Sequence, residues 1–223
     1  MNSLLIIKSS IFRKSLCITH VHESFRIAIN AQFAVDDAMA LSFPDASFDV
    51  VWSIEAGPHM PDKAIFAREL MRVLKPGGVL VVADWNQRDD RQKPLNFWEK
   101  PVMRQLLDQW SHPAFSSIEG FSELLAATGL VEGEVITTDW TQETLPSWLD
   151  SIWQGVVRPS GFLRFGLSGF IKSVREVPTF LLMRLAFSAG LCRFGMFRAV
   201  RANKSTDLLD RNFVQENPSS LVR

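Results

Sequence analysis

Residues 47–85 constrain the fold more than any other part of the chain. A continuous apolar run, Phe48 to Trp52, is followed by a Gly/Pro-rich loop, IEAGPHMPDK, and a second apolar run, VLVVADW, lies beyond an amphipathic stretch. Each run is short and bounded by turn signals, as expected of strands buried on both faces. Between them Ile65, Phe66, Leu70, Val73 and Leu74 fall on one stripe at helical spacing. Pro61 and Asp62 suit the first turn of that helix. Arg68, Arg72 and Lys75 lie toward the end that favours cations, and Pro76, Gly77 and Gly78 stop it. Strand, helix and strand with short connections predict a parallel crossover unit, and therefore an α/β fold.

The rest of the chain is read around this unit. Its 223 residues suit one domain, or two at most. With 47% hydrophobic and 22% charged residues it has the composition of a globular protein, not of a disordered or fibrous one. QFAVDDA reads as a short strand ending in two aspartates. NFWEKPVMRQLLDQW and SSIEGFSELLAATG read as helices, the second capped by Ser116 or Ser117 and ended by Gly129. EVITTDW and CRFGMFRAV read as strands. Residues from Gln142 to about Leu191 read as a helical insertion broken at Pro159 and Pro178, and the tail from Lys204 is polar. Residues 1–30 alternate weakly and have no evident partner. Their apolar stretch, Leu4 to Ile7, is too short for a secretory signal.

Charge and cysteine usage exclude several function classes. The formal net charge is zero, so no global basic field points to nucleic acid. Cys17 and Cys192 form no CxxC pair, which argues against a disulfide scaffold or a cysteine-ligated zinc. Residues 158–201 nevertheless carry eight basic side chains against one acid, Glu176, interleaved with Phe, Leu and Met. That pattern reads as a membrane-surface face, although no uncharged run is long enough to span a bilayer.

In open α/β sheets ligands sit beyond the carboxyl ends of strands. Three such ends carry polar groups: Asp36-Asp37-Ala38, Ser53-Ile54-Glu55 and Asp84-Trp85-Asn86. A carboxylate there can accept from an amine or a ribose hydroxyl. His59, in the loop after the second strand, has Glu55 and Asp62 nearby and could act as a general base with a carboxylate partner. His20, His22 and His112 lack the company a metal site needs. Ser53 has no GxSxG elbow, and KPGG is a helix-ending turn, not a phosphate loop.

The segments FPDASFDVVWS and RVLKPGGVLVV resemble two motifs of the class I S-adenosylmethionine-dependent methyltransferases. The variant WSIEAGPHMPDK, and the long stretches after ADWNQRDD, resemble the tocopherol and plastoquinone ring methyltransferases over about residues 31–203. The resemblance implies that S-adenosylmethionine is the cofactor, with Asp37 accepting from its adenine amino group and the Ala38 N–H reaching the adenine ring. Ser53 would border the methionine moiety. Glu55 and His59 would face methyl transfer, with His59 the first choice of base, and Asp36 and Met39 lie beside the site. The acceptor it implies is a prenylated quinol, with residues 158–201 as a lid at the lipid surface. The place it implies is the cytoplasmic side of a membrane in a cyanobacterial-type cell or plastid.

The chain also departs from that pattern. The family's glycine-rich loop should lie upstream of Ala31, yet residues 1–30 contain no glycine. That loop lets backbone approach the cofactor closely. The expectation is a partial Rossmann-like sheet with its first βα units missing: a non-family segment at 1–30, methyltransferase core at 31–139, helical lid and last strand at 140–203, and a tail at 204–223. Cofactor affinity should then be weak. The rival reading is a non-catalytic remnant that binds a membrane surface or partner.

Overall fold

The computed structural model describes residues 4–9, 15–19, 32–109, 112–157 and 178–203. It is an α/β fold built on a seven-stranded sheet of order β3-β2-β1-β4-β5-β7-β6. The strands are β1 (Leu4–Ser9), β2 (Ser15–Thr19), β3 (Gln32–Asp36), β4 (Phe48–Ile54), β5 (Leu74–Gln87), β6 (Ile136–Asp139) and β7 (Cys192–Val200). The helices are α1 (Lys63–Arg72), α2 (Glu99–Gln109), α3 (Ile118–Ala126), α4 (Thr141–Val157) and α5 at residues 178–188. As expected, β4 and β5 pair in parallel across α1, and β7 spans the whole of CRFGMFRAV.

The N-terminal strands differ from expectation. Residues 1–30 supply β1, which pairs in parallel with β4, and β2, which pairs antiparallel with both β1 and β3. The five residues between β1 and β2 are too few for a parallel crossover, which takes a dozen or more, consistent with the antiparallel pairing of the two strands. β3 ends at the same edge as β4 but with two strands between them. Three strand spacings put Asp36 and Ser53 about 14 Å apart across the sheet. The three polar strand ends are therefore not on adjacent strands.

One face of the sheet carries the main core. Phe48, Val51, Leu80, Val82, Phe197 and Ala199 are buried there under Phe66, Ala67 and Leu70 of α1 and Phe121 and Leu125 of α3. Phe121 links the layers, stacking on Phe66 with centroids 6.2 Å apart and meeting Phe197 edge-on at 5.1 Å. On the other face Trp85 gathers Phe194, Phe187 of α5 and Trp148 of α4, at 4.9, 5.3 and 6.2 Å. Met103 and Leu106 of α2 join this second cluster. β4 is not buried on both faces as its apolar run implied: Trp52 is 41% exposed.

Local signals explain the helix limits. Asp62 is the cap of α1, not part of its first turn: its carboxylate accepts from the Ala64 and Ile65 N–H groups at 2.8 and 3.0 Å. The helix ends at Arg72, before Pro76, where the Arg201 guanidinium donates to the Arg72 and Leu74 carbonyls. Arg72 also ties the loop before β4, donating to the Leu41 and Phe43 carbonyls and to Asp45. Ser117 caps α3 by accepting from the Gly120 N–H, and Pro178 lies in the described part of α5. Pro159 lies outside the described residues.

Gly78 sits where β5 presses against β4: a Cβ there would lie 2.8 Å from the Lys75 carbonyl oxygen and 3.0 Å from that of Asp49. Both are backbone atoms that cannot move aside cheaply. Gly78→Ala is expected to cost about 1–3 kcal/mol and Asp62→Ala about 1 kcal/mol. Urea unfolding of the two variants checks the magnitudes and their order.

Candidate active site

The ends of β4 and β5 carry the site. After Ile54 the backbone bends sharply at Glu55, whose φ is +52°, and a 3-10 turn over Gly57–His59 leads to α1. The Glu55 N–H donates to the Ala83 carbonyl at 2.8 Å, which holds the bend against β5. Glu55 itself is exposed, and His59 is half-buried.

Beneath the turn lies Asp84, only 3% exposed. It does not stand at an open strand end, because β5 continues to Gln87. Its Oδ2 accepts from the Gly57 N–H at 3.2 Å. A Cβ on Gly57 would lie 2.1 Å from that oxygen, so only glycine brings the turn so close. Asp84 Oδ1 and Ser53 Oγ, both on the α1-facing side of the sheet, are buried with no hydrogen-bond partner among the described residues. Burial drives the Asp84 pKa well above the usual carboxylate range, with Lys63 pulling the other way. Asn86 and Trp85, expected beside it at the strand end, are structural: Asn86 Oδ1 accepts from the Gly195 N–H at 3.1 Å, and Trp85 is packed in the second cluster.

Lys63, at the start of α1, faces this group. Its ammonium donates to the Pro58 carbonyl at 3.3 Å and to that of Met60 at 2.5 Å, pinning both sides of His59. Burial lowers its pKa to about 8, although Asp84 opposes the shift. The His59 pKa is lowered by burial and by the Lys63 charge, which favours the neutral imidazole. His112, from the loop after α2, closes the group. Its Nε2 lies 3.4 Å from His59 Nε2, with ring centroids 4.4 Å apart. Burial, then His59 and Lys63, push its pKa down to about 4.

The sequence-derived residues thus fall into two places. Ser53, Glu55 and His59 come together at the β4 end. Asp37 and Ala38 lie at β3, where Asp36 accepts from the Ser42 N–H and hydroxyl and Asp37 Oδ1 accepts from the Met39 N–H at 2.9 Å. Asp37 is exposed and Ala38 buried. Sequence reasoning missed Lys63, and it set aside His112, whose partner lies 53 residues away. No local pattern marks such a pair. Among the described residues no group of three or more His, Cys, Asp or Glu is placed to hold a metal.

A methyltransferase domain family matches residues 15–82. The 2-methyl-6-phytyl-1,4-hydroquinone methyltransferase of Synechocystis is 80% identical over 175 residues, 78% of this chain and 55% of that protein. Over most of its length the chain is thus similar to a methyltransferase. The chloroplastic tocopherol O-methyltransferase of Arabidopsis thaliana is 33% identical over 177 residues, 76% of this chain and 48% of its own length. The chain therefore spans about half the length of these curated relatives. Among solved structures, Haemonchus contortus phosphoethanolamine N-methyltransferase 2 with S-adenosyl-L-methionine superposes with a TM-score of 0.61 at 20% identity, covering 74% of this chain and 36% of that one. The [4+2]-cyclase SpnF does so at 0.51 and 21% identity, covering 77% and 56%. A methyltransferase and a cyclase share this fold, so chemistry must be argued from the site.

The His112 shift has a definite sign. Its folded pKa lies below the unfolded value, so its contribution to stability is full above pH 6.5 and is lost as pH falls toward about 4. Asp84 runs the other way: its contribution is present below pH 3.8 and is lost as pH rises. The stability difference between wild type and His112→Gln isolates the histidine. It should move in favour of the variant by about 1–2 kcal/mol between pH 7 and pH 4, less than the full shift because the ring is partly solvated. Denaturant curves at a series of pH values measure it.

Proposed function

We propose that the chain is an S-adenosylmethionine-dependent C-methyltransferase acting on the ring of a prenylated benzoquinol. The observation that carries this is His59, a half-buried imidazole in the turn after β4, which the half-buried Lys63 holds through Pro58 and Met60 and the buried Asp84 carboxyl meets through Gly57. Its 80% identical relative is named for a phytylated hydroquinone. Asp37, exposed at the β3 end, suits the adenine amino group as acceptor, and Ala38 offers its N–H to the adenine ring. Ser53 borders the methionine end. These positions lie along one sheet edge, as an elongated nucleoside requires. Bound there, the cofactor supplies an electrophilic sulfonium methyl.

The residues of the chain prepare the acceptor. His59 takes the phenolic proton, which concentrates electron density on the neighbouring ring carbon. Lys63, cationic below about pH 8, favours the phenolate that remains. Glu55, exposed beside the turn, is the second candidate for the proton. The partly dry surroundings strengthen each of these interactions.

The test is transfer of a labelled methyl from S-adenosylmethionine to a prenylated hydroquinone at saturating cofactor. Cofactor affinity, read by calorimetry, should be weaker than low micromolar, because residues 10–14 after β1 include no glycine to let backbone close on the ligand. His59→Ala should lower turnover about 10²–10⁴-fold with little change in cofactor affinity. Absence of transfer to any phenol would leave the non-catalytic reading standing.

Peripheral contact with a membrane is the second part of the proposal. Residues 158–177, with Arg158, Arg164, Lys172 and Arg175, lie outside the described residues. In the described part of 158–201 the Phe side chains expected outside are not: Phe187, Phe194 and Phe197 are buried, as is Met183. What α5 exposes is Leu181, Arg184 and Leu185, while the loop before α2 exposes Phe97 (76%) and Trp98 (78%) near Lys100 and Arg104. Exposed aromatic tips among cations suit a lipid interface. No helix among the described residues is long and apolar enough to cross a membrane. The chain should float with anionic vesicles at low salt and be partly released at high salt. Arg164, Lys172 and Arg175 changed together to Gln should weaken binding by up to about 3 kcal/mol. Indifference to anionic vesicles at low salt would make 158–201 an ordinary cap.

A further inference from the structure

His59 and His112 meet through the same atom of each ring. Their Nε2 atoms are 3.4 Å apart, near the long limit of a hydrogen bond, and the rings are inclined at 61°. Two neutral imidazoles facing in this way hold one proton between them. One ring donates from Nε2–H, and the other accepts at Nε2. If His112 were the donor, His59 would carry its hydrogen on Nδ1 and spend its lone pair on His112, leaving no basic atom for a substrate. If His59 is the donor, Nδ1 keeps a free lone pair. A proton arriving there makes an imidazolium whose Nε2–H still has its acceptor.

We propose that His112 is a positioning residue for His59, accepting from its Nε2–H and so setting Nδ1 as the basic atom.

His112 is anchored independently of His59. His112 is held by its own backbone, whose N–H donates to the Leu107 carbonyl at 2.9 Å, and by packing on the Phe115 ring at 5.1 Å. It belongs to the α2 side of the molecule, whereas His59 belongs to the β4 turn. The contact therefore aligns an imidazole on a short turn against a separately anchored one. The charged groups around the pair are Lys63 from α1, Asp84 beyond it on β5, and Glu55 at the end of β4. Lys63 disfavours a proton on both rings.

The proposal deepens the general-base reading of His59, and its first test does not depend on that reading. Long-range 1H–15N spectra of the full chain report the tautomer of each histidine. The expected result is His59 with its hydrogen on Nε2 in the wild type. His112→Phe, which removes the acceptor, should shift His59 toward a mixture of tautomers. His112→Gln, whose side-chain oxygen can accept, should restore the wild-type form. An Nδ1–H tautomer of His59 in the wild type would overturn the proposal, even if the Phe variant failed to fold. So would a tautomer unmoved by His112→Phe. In methyl transfer, His112→Phe should lower kcat at least tenfold with KM little changed, and His112→Gln should recover most of the loss. If the tautomers behave as expected but no phenol is methylated, the function assigned to the site fails and the positioning of His59 stands.

Discussion

A carboxyl group in the middle of a sheet is costly unless something meets it, and Asp84 organises what lies around it. It sits on β5 between β4 and β7, buried on the side that α1 and α3 cover. Gly57 answers one oxygen with its N–H, from a distance that excludes any larger residue. Lys63 answers with charge and, through its bonds to Pro58 and Met60, holds the same turn from the helix side. Strand, turn and helix start are thus one connected unit, and the direction of His59 is set by it. The second oxygen of Asp84 and the hydroxyl of Ser53 remain unmatched among the described residues, two buried polar atoms beside the place assigned to the reaction.

Dryness has a further effect on the same residues. Water that would solvate charge is displaced, so His59 and His112 resist protonation and the Lys63 ammonium gives up its proton more readily. A neutral base and a retained cation are what a phenol needs in order to become a carbon nucleophile. The site also joins the two hydrophobic clusters. His59 rides on the unit packed against the main core, while His112 comes from the loop after α2, the helix that packs with Trp85, Trp148 and Phe187 on the other face.

The strand–helix–strand unit was legible because its signals are local. Apolar runs, a helical stripe and a carboxylate cap need no distant partner to be recognised, and β7 and the Ser117 cap were equally plain. The ends were less so. Asp62 read as a first-turn residue because spacing alone does not distinguish a cap from the turn it caps, and only the bonds to Ala64 and Ile65 do. β1 and β2 were invisible because a weakly alternating run becomes a strand only where an edge is offered to it. Within the site, Ser53, Glu55 and His59 could be found since they follow one strand. His112 could not, because its role depends on a contact across 53 residues.

The sequence by itself determined an α/β chain with a parallel crossover at its centre, a polar strand end at Ser53–Glu55 and a histidine in the loop beyond. These follow from backbone and side-chain periodicity within a few residues. Tertiary structure alone decided that Asp84 is enclosed and not open at a strand end, that Lys63 locks the turn, that Asp37 lies three strand spacings from Ser53, and that His112 faces His59. Each of these depends on which strands neighbour one another and how far β5 runs before it ends. Burial and pairing are properties of the assembled sheet, so the electrostatics around His59 exist only once the sheet has formed.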